Sequence, residues 1–471
     1  MVSMTTPHST THSCLAPSRK QLPGAVAEQS RSIDAPRQPE AYGLLFPELP
    51  ALEIEEALLQ ALGRQGGACD GAPFAELGTD DARGAAGWPF FGQFVAHDIT
   101  ADRSALVHHA DVAALRNARR QKISLEFLYG AGPAGSPYFF DADDPAKLLL
   151  GRNDAGLPDD VPRNAQGTAI IGDPRNDSHV VMAQLHLAFC RFHNAVVDRL
   201  RADGVPAADL FERTRRVVCW HYQWVVLHDF LPRLLGAELA EEVLAKSARY
   251  YHPGNDPYVP LEFADAAYRY GHAQIRHSYR LNHAMQSVPI FPDLLGFRPV
   301  PAANVVDWTT LFDFPGRSPA QRAKKIDGRL CASLITLPAA ISGQVTVDAF
   351  RSLAARDLQR GLAVSLPSGE AVARRLGVTP LSAQETGLGA FGWRGETPLW
   401  YYILKESEVC TGGDRLGTVG GRIVGEVLVG LMDHDPGSFR AAAPDWRPQL
   451  PAAEPGRFML TDLLTLARTG G

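Results

Sequence analysis

Apolar side chains at Val181, Leu185, Ala188, Phe192, Val196 and Leu200 recur every three or four residues between Ser178 and Ala202. That spacing lines one face of an α-helix of about seven turns, and a stripe so long has to be covered by other elements. Ser178 is placed to cap the start and Gly204 to stop the end. A second helix is expected over about Leu210 to Leu235, where Trp220, Trp224, Phe230 and Leu234 predict deep burial. Further helices are expected at Glu53 to Gly63, Trp88 to Asp98, Asp265 to Leu281, Gly420 to Met432 and Met459 to Arg468. Strand signals are few and short, as in Gln344 to Ala349. Long Gly/Pro-rich connections such as YGAGPAGSPYFFDADDP separate the helices. The expected fold is mainly α, with irregular connections and few short strands.

At 471 residues the length alone allows one large domain or two small ones. Residues 1 to about 40 are rich in Ser, Thr, Pro and His, a composition that does not repay its ordering entropy, and are expected to form a disordered tail ahead of a unit spanning 41–471. The net charge of -6 is spread over interspersed signs with no basic stripe, which excludes a nucleic-acid partner. Six cysteines without a CxxC pair, in a chain too long to need staples, read as reduced and mostly buried thiols. No signal-peptide core and no apolar run of membrane-spanning length is apparent, so a cytoplasmic location is expected.

Three short segments carry the candidate chemistry. In FFGQFVAHD, Gln93 and His97 are four residues apart and so share a helical face amid phenylalanines. A neutral imidazole there can relay a proton, although a lone histidine in an apolar helix is more often a core residue bonded to backbone. In GDPRND, Arg175 sits on a turn feeding the long helix; it can stabilise developing negative charge, or simply pair with Asp173 or Asp177. In YRYGHAQI, Tyr268, His272, Ile275 and Tyr279 fall on one helical face, which turns His272 inward, with Arg269 beside the stripe and Gly271 leaving space. His186 and His193 lack a third ligand for zinc, His221 and His228 belong with the core, and His108, His109 and His434 read as surface. No GxGxxG, Walker, GxSxG or HExxH pattern is present.

From about Ala41 onward these segments, in this order, resemble the peroxidase and cyclooxygenase superfamily, the animal-type haem peroxidases and their bacterial relatives. FGQFVAHD resembles its distal segment, GDPRND followed by AQLHLAFCRFHNAVVDRL its distal-arginine segment and next helix, and YRYGH its proximal segment. The resemblance implies a single mainly α domain holding haem b. His97 would be the distal base, Gln93 its neighbour, Arg175 the distal arginine, His272 the iron ligand and Arg269 a propionate contact. It implies a peroxidase using hydrogen peroxide and a small-molecule or halide donor; the alternatives are a fatty-acid dioxygenase and a non-catalytic haem-binding protein. The dioxygenase members use a tyrosine where this chain has Arg269, and on a helix Tyr268 and Tyr270 are expected to point elsewhere.

Several positions depart from the family pattern. The residues that ester-link haem in mammalian members are Ala96 and Ser178 here, and His179 replaces a methionine that forms a sulfonium link, so haem is expected to be non-covalent. Asp98 matches a calcium ligand, with Ser124 and Glu126 in the loop RRQKISLEFLYG; these oxygens are expected either to hold Ca²⁺ or to be bridged by Arg120 in its place. The family's asparagine that accepts the proximal ring N–H has no counterpart after Asn304, which points to Thr397 or a backbone carbonyl as acceptor.

Overall fold

The computed structural model describes residues 40–71, 81–101, 115–245, 248–254 and 256–468. Residues 1–39 of the expected tail, Cys14, His108 and His109 lie outside them. The helices that frame the site are α1 (Glu56–Gly63), α2 (Trp88–Ile99), α3 (Val180–Ala202), α4 (Ala207–Val225), α5 (Leu353–Ala363), α6 (Leu399–Thr411), α7 (Thr418–Asp433) and α8 (Leu460–Ala467). Among the described residues, strands are confined to three antiparallel pairs: β1 (Glu40–Ala41) with β3 (Arg116–Asn117), β2 (Asp81–Ala85) with β6 (Arg322–Lys324), and β4 (Ser278–Tyr279) with β5 (Val288–Pro289). The mainly α expectation therefore holds.

The predicted stripe of α3 is the spine of the core, with Val181, Leu185 and Phe192 fully buried. The helix packs on α4 and α8, and one continuous apolar cluster runs from Tyr42 to Ala467. Its start differs from expectation: a 3₁₀ turn over Pro174–Asp177 precedes it and His179 occupies the cap position, Ser178 being already helical in backbone angle. Contrary to the reading that no segment reaches membrane-spanning length, α3 is long and apolar enough to do so; 89% of its most apolar stretch is buried inside the protein. α4 continues through a π-helical turn, Val226–Phe230, into Leu231–Leu235, which together make the long second helix.

Two further expectations fail. Gln344 to Ala349 pairs with no described strand and leads instead into a 3₁₀ turn at Asp348–Arg351, leaving Val347 exposed. The segment Asp265 to Leu281 is not one α-helix: it is a 3₁₀ helix over Ala267–Gln274 followed by β4. A 3₁₀ helix eclipses residues three apart, so Arg269 and His272 share a face, and this segment packs on α2, α6 and α7. None of the five described cysteines is in a disulfide, and four of them are buried.

Candidate active site

Gln93 and His97 from α2, Arg175 from the turn before α3, and Arg269 and His272 from the 3₁₀ segment line one cavity of about 1160 Å³, mouth included. The cavity is a product of the packing just described. Pro89 in the first turn starts α2 without loss of a helical donor. Phe90, Phe91 and Phe94 lock the helix into the core at 1% exposure or less, and the i, i+4 spacing delivers Gln93 and His97 to the remaining face.

His97 donates from Nδ1 to Asn176 Oδ1 at 2.8 Å, and the amide nitrogen of Asn176 lies 3.3 Å from His186 Nδ1. With Nδ1 carrying the proton, Nε2 is the basic nitrogen. Burial, reinforced by the Arg175 charge, pushes the His97 pKa down to about 3, so the ring is neutral at any ordinary pH. Arg175 realises both sequence readings at once: it lines the cavity and it closes its turn. Nε and Nη2 bond the two carboxylate oxygens of Asp173, and Nη2 also reaches Thr100 O. Nη1 makes no hydrogen bond among the described residues. Asp173 is itself gripped by Arg119, 2.6 Å away with both side chains 3% exposed. Despite burial, Arg175 and Arg119 hold the Asp173 carboxyl well below the usual carboxylate range.

His272 bonds through Nδ1 to Asp357 Oδ2 at 2.6 Å, and Arg269 meets Asp357 Oδ1 at 3.2 Å. This corrects the expectation for Thr397, whose hydroxyl is bonded to Glu370. Asp357 lies on α5, 85 residues away in sequence, and the eclipsed 3₁₀ geometry lets Arg269 and His272 reach one carboxylate together. Arg269 also pairs with Asp265 at 2.8 Å, and buried Arg360 adds a third cation to the cavity wall. Tyr268 and Tyr270, expected to point away, both line the cavity. His179 lines it too, its Nε2 3.3 Å from Gln93 Oε1, and burial lowers its pKa to about 3.

The calcium residues lie apart from the cavity. Both oxygens of Asp98 accept backbone N–H groups, from Ser124, Leu125 and Glu126. Among the described residues, Arg120 pairs with Glu126 and does not bridge it to Asp98. A calcium cage needs six to eight oxygens, and no cluster of three or more metal-binding side chains occurs among the described residues. This donor set does not fit Ca²⁺.

A haem group does fit the cavity. The site is mostly apolar and carries the cations Arg175, Arg269 and Arg360. A Cβ at Gly271 would meet nothing within 4 Å, so the backbone beside His272 faces open space on the cavity wall.

Human thyroid peroxidase is 30% identical over 138 residues, 28% of this chain and 15% of that protein. Peroxidase skpo-1 of Caenorhabditis elegans is 26% identical over 290 residues, 58% of this chain and 41% of that protein. The chain thus spans less than half the length of these curated relatives. Among solved structures, peroxidase A from Dictyostelium discoideum superposes with a TM-score of 0.67 at 14% identity, covering 97% of each chain. A fatty acid alpha-dioxygenase of Oryza sativa gives a TM-score of 0.58 at 15% identity, covering 85% of this chain and 74% of the other. The family profile described as animal haem peroxidase matches residues 140–382, which begins after His97 and spans just over half of the sequence. The chain belongs to the animal haem peroxidase family.

Proposed function

We propose that the protein is a haem-dependent peroxidase that reduces hydrogen peroxide and oxidises a small-molecule or halide donor. The observation that carries this reading is the meeting of His97, Arg175 and His272 from three distant segments in one cavity. In it His272 would hold the iron, and Arg269 and Arg360 would face the propionates. When bound, haem supplies the metal at which peroxide coordinates and the oxidising equivalents passed to the donor. His97 Nε2 takes a proton from hydrogen peroxide and returns it to the oxygen that leaves as water. The Arg175 guanidinium, oriented by Asp173 and with Nη1 uncommitted, offsets negative charge on that leaving oxygen. The aromatic wall limits water near the reacting atoms.

Haem would be held without a covalent bond. Asp265 is the sole carboxylate among the described residues lining the cavity, it is paired with Arg269, and no methionine lines the wall. Extraction with acidified organic solvent should remove all haem; haem retained on the protein contradicts this. The main test is the rate of reaction with peroxide. His97→Ala should lower it about 10²–10⁴-fold and Arg175→Ala about 10²–10³-fold, with haem retained. His272→Ala should lose the histidine-ligated spectrum. Wild-type rates in the first two variants would overturn the reading.

A fatty-acid dioxygenase is the second reading. The observation favouring it is Tyr268, which lines the cavity with its hydroxyl buried and without a partner among the described residues. Against it stands Arg269 at the position the family's hydrogen-abstracting tyrosine would take. Oxygen uptake with a long-chain fatty acid decides, and none is expected.

A further inference from the structure

We infer that Asp357 is a positioning residue that sets the electronic character of His272: its carboxylate accepts the Nδ1 proton and makes the imidazole a stronger donor through Nε2, favouring ferric over ferrous iron. The inference rests on the haem-peroxidase reading above and deepens it.

The geometry is short and buried. The Nδ1 to Oδ2 separation is 2.6 Å and the Asp357 side chain has no exposure, so water does not compete for the bond. A hydrogen bond to a charged acceptor is roughly twice as strong as one to a neutral group. As the proton leans toward the carboxylate, electron density shifts to Nε2. A more basic ligand stabilises the more highly charged metal state. The carboxylate is also fixed in place. It projects from α5, whose first turn is capped by the Ser352 side chain, and its other oxygen is held by Arg269. That same guanidinium partly offsets the negative charge, so Arg269 sets how far the proton leans. The family pattern places a neutral amide in this role, and an amide offers an oxygen of the same shape without the charge.

Asp357→Asn isolates the charge from the shape. In haem-loaded protein a redox titration should show the ferrous-to-ferric ratio at a fixed applied potential rising on the order of tenfold, equal to about 59 mV for one electron. The iron–histidine stretching frequency of the ferrous form should fall. A role in orientation alone would leave both as in wild type, and bound haem with unchanged potential and frequency overturns the inference. Should Asp357→Asn fail to fold, His272→Gly supplies the second arm, with free imidazole or 1-methylimidazole as the replacement ligand. Imidazole can donate to Asp357 and its methylated analogue cannot, so imidazole should bind on the order of tenfold more tightly; equal affinities overturn the inference. Wild-type protein that takes up no haem would overturn the peroxidase reading itself, an outcome visible in the first absorption spectrum.

Discussion

Of the imidazoles that face the cavity, His97 and His272 are each anchored through Nδ1, but the anchors differ. His97 gives its proton to the neutral amide of Asn176, whereas His272 gives its proton to the carboxylate of Asp357. A neutral acceptor fixes the tautomer without adding basicity, which suits a ring that must accept and release a proton. An anionic acceptor strengthens the far nitrogen as a donor, which suits a ring that stays bonded to a metal. The charge around each follows suit: the cations Arg175 and Arg119 lie near His97, while His272 shares its acid with Arg269.

The largest expected effect concerns the buried charges on the His97 side. Arg119→Ala leaves Asp173 without one of its two cations in a site 3% exposed, and should destabilise the protein by about 3–5 kcal/mol in chemical denaturation. A loss below about 1 kcal/mol would mean that the cluster is not the rigid support described. Next comes a swap of anchor type. Asn176→Asp gives His97 an anionic partner like that of His272, and should raise its pKa by about 1–3 units. The acid limb of kcat/KM for peroxide, expected near pH 3 in wild type because burial and Arg175 hold His97 at about 3, should move up by that amount. An unmoved limb would break the comparison.

Acid stability gives a smaller effect. Burial lowers His97, His179 and His186 to about 3 and His193, His221 and His228 to about 4. Unfolded, these rings titrate near 6.5, so below that pH the unfolded chain binds protons that the native state refuses. Stability should therefore fall as pH drops from about 6.5 toward 4. Asp98 and Glu406, raised to about 7 by burial, act in the opposite direction over the same range and offset part of the loss. Denaturation midpoints that rise on acidification would contradict this balance. The smallest effect is expected from Tyr268→Phe, which should leave peroxidation within about twofold of wild type; a larger drop would give weight to the dioxygenase reading.

What could be read from the sequence was what repeats or stays local. The stripes of α2 and α3 follow the helical period closely, so their elements and buried faces were legible to within a few residues. Asp265 to Leu281 was misread because its apolar steps of three and four also suit an α-helix. The tighter helix lets Arg269 and His272 both bond Asp357, a tertiary partner that no local pattern reveals. Asp357 was not legible as the partner of His272 because it lies 85 residues away and is an acid where the family pattern has an amide. The available signal was α5, where Arg356, Asp357, Gln359 and Arg360 are buried among apolar neighbours, an arrangement that requires partners. Asn176 was adjacent to Arg175 in plain sight, but its bond to His97 spans 79 residues. Gln344 to Ala349 alternated as a strand does, yet a strand without a neighbour has no ladder to join.

The wall of the cavity is assembled from stretches as far apart as Tyr42 and Arg360, so a guest that touches its apolar lining ties those stretches to one another. Occupancy and thermal resistance are therefore tied by mass action. A guest that binds only the folded chain, present at a hundred times its Kd, adds about 2.7 kcal/mol, so the melting temperature becomes a gauge of how much prosthetic group a preparation contains.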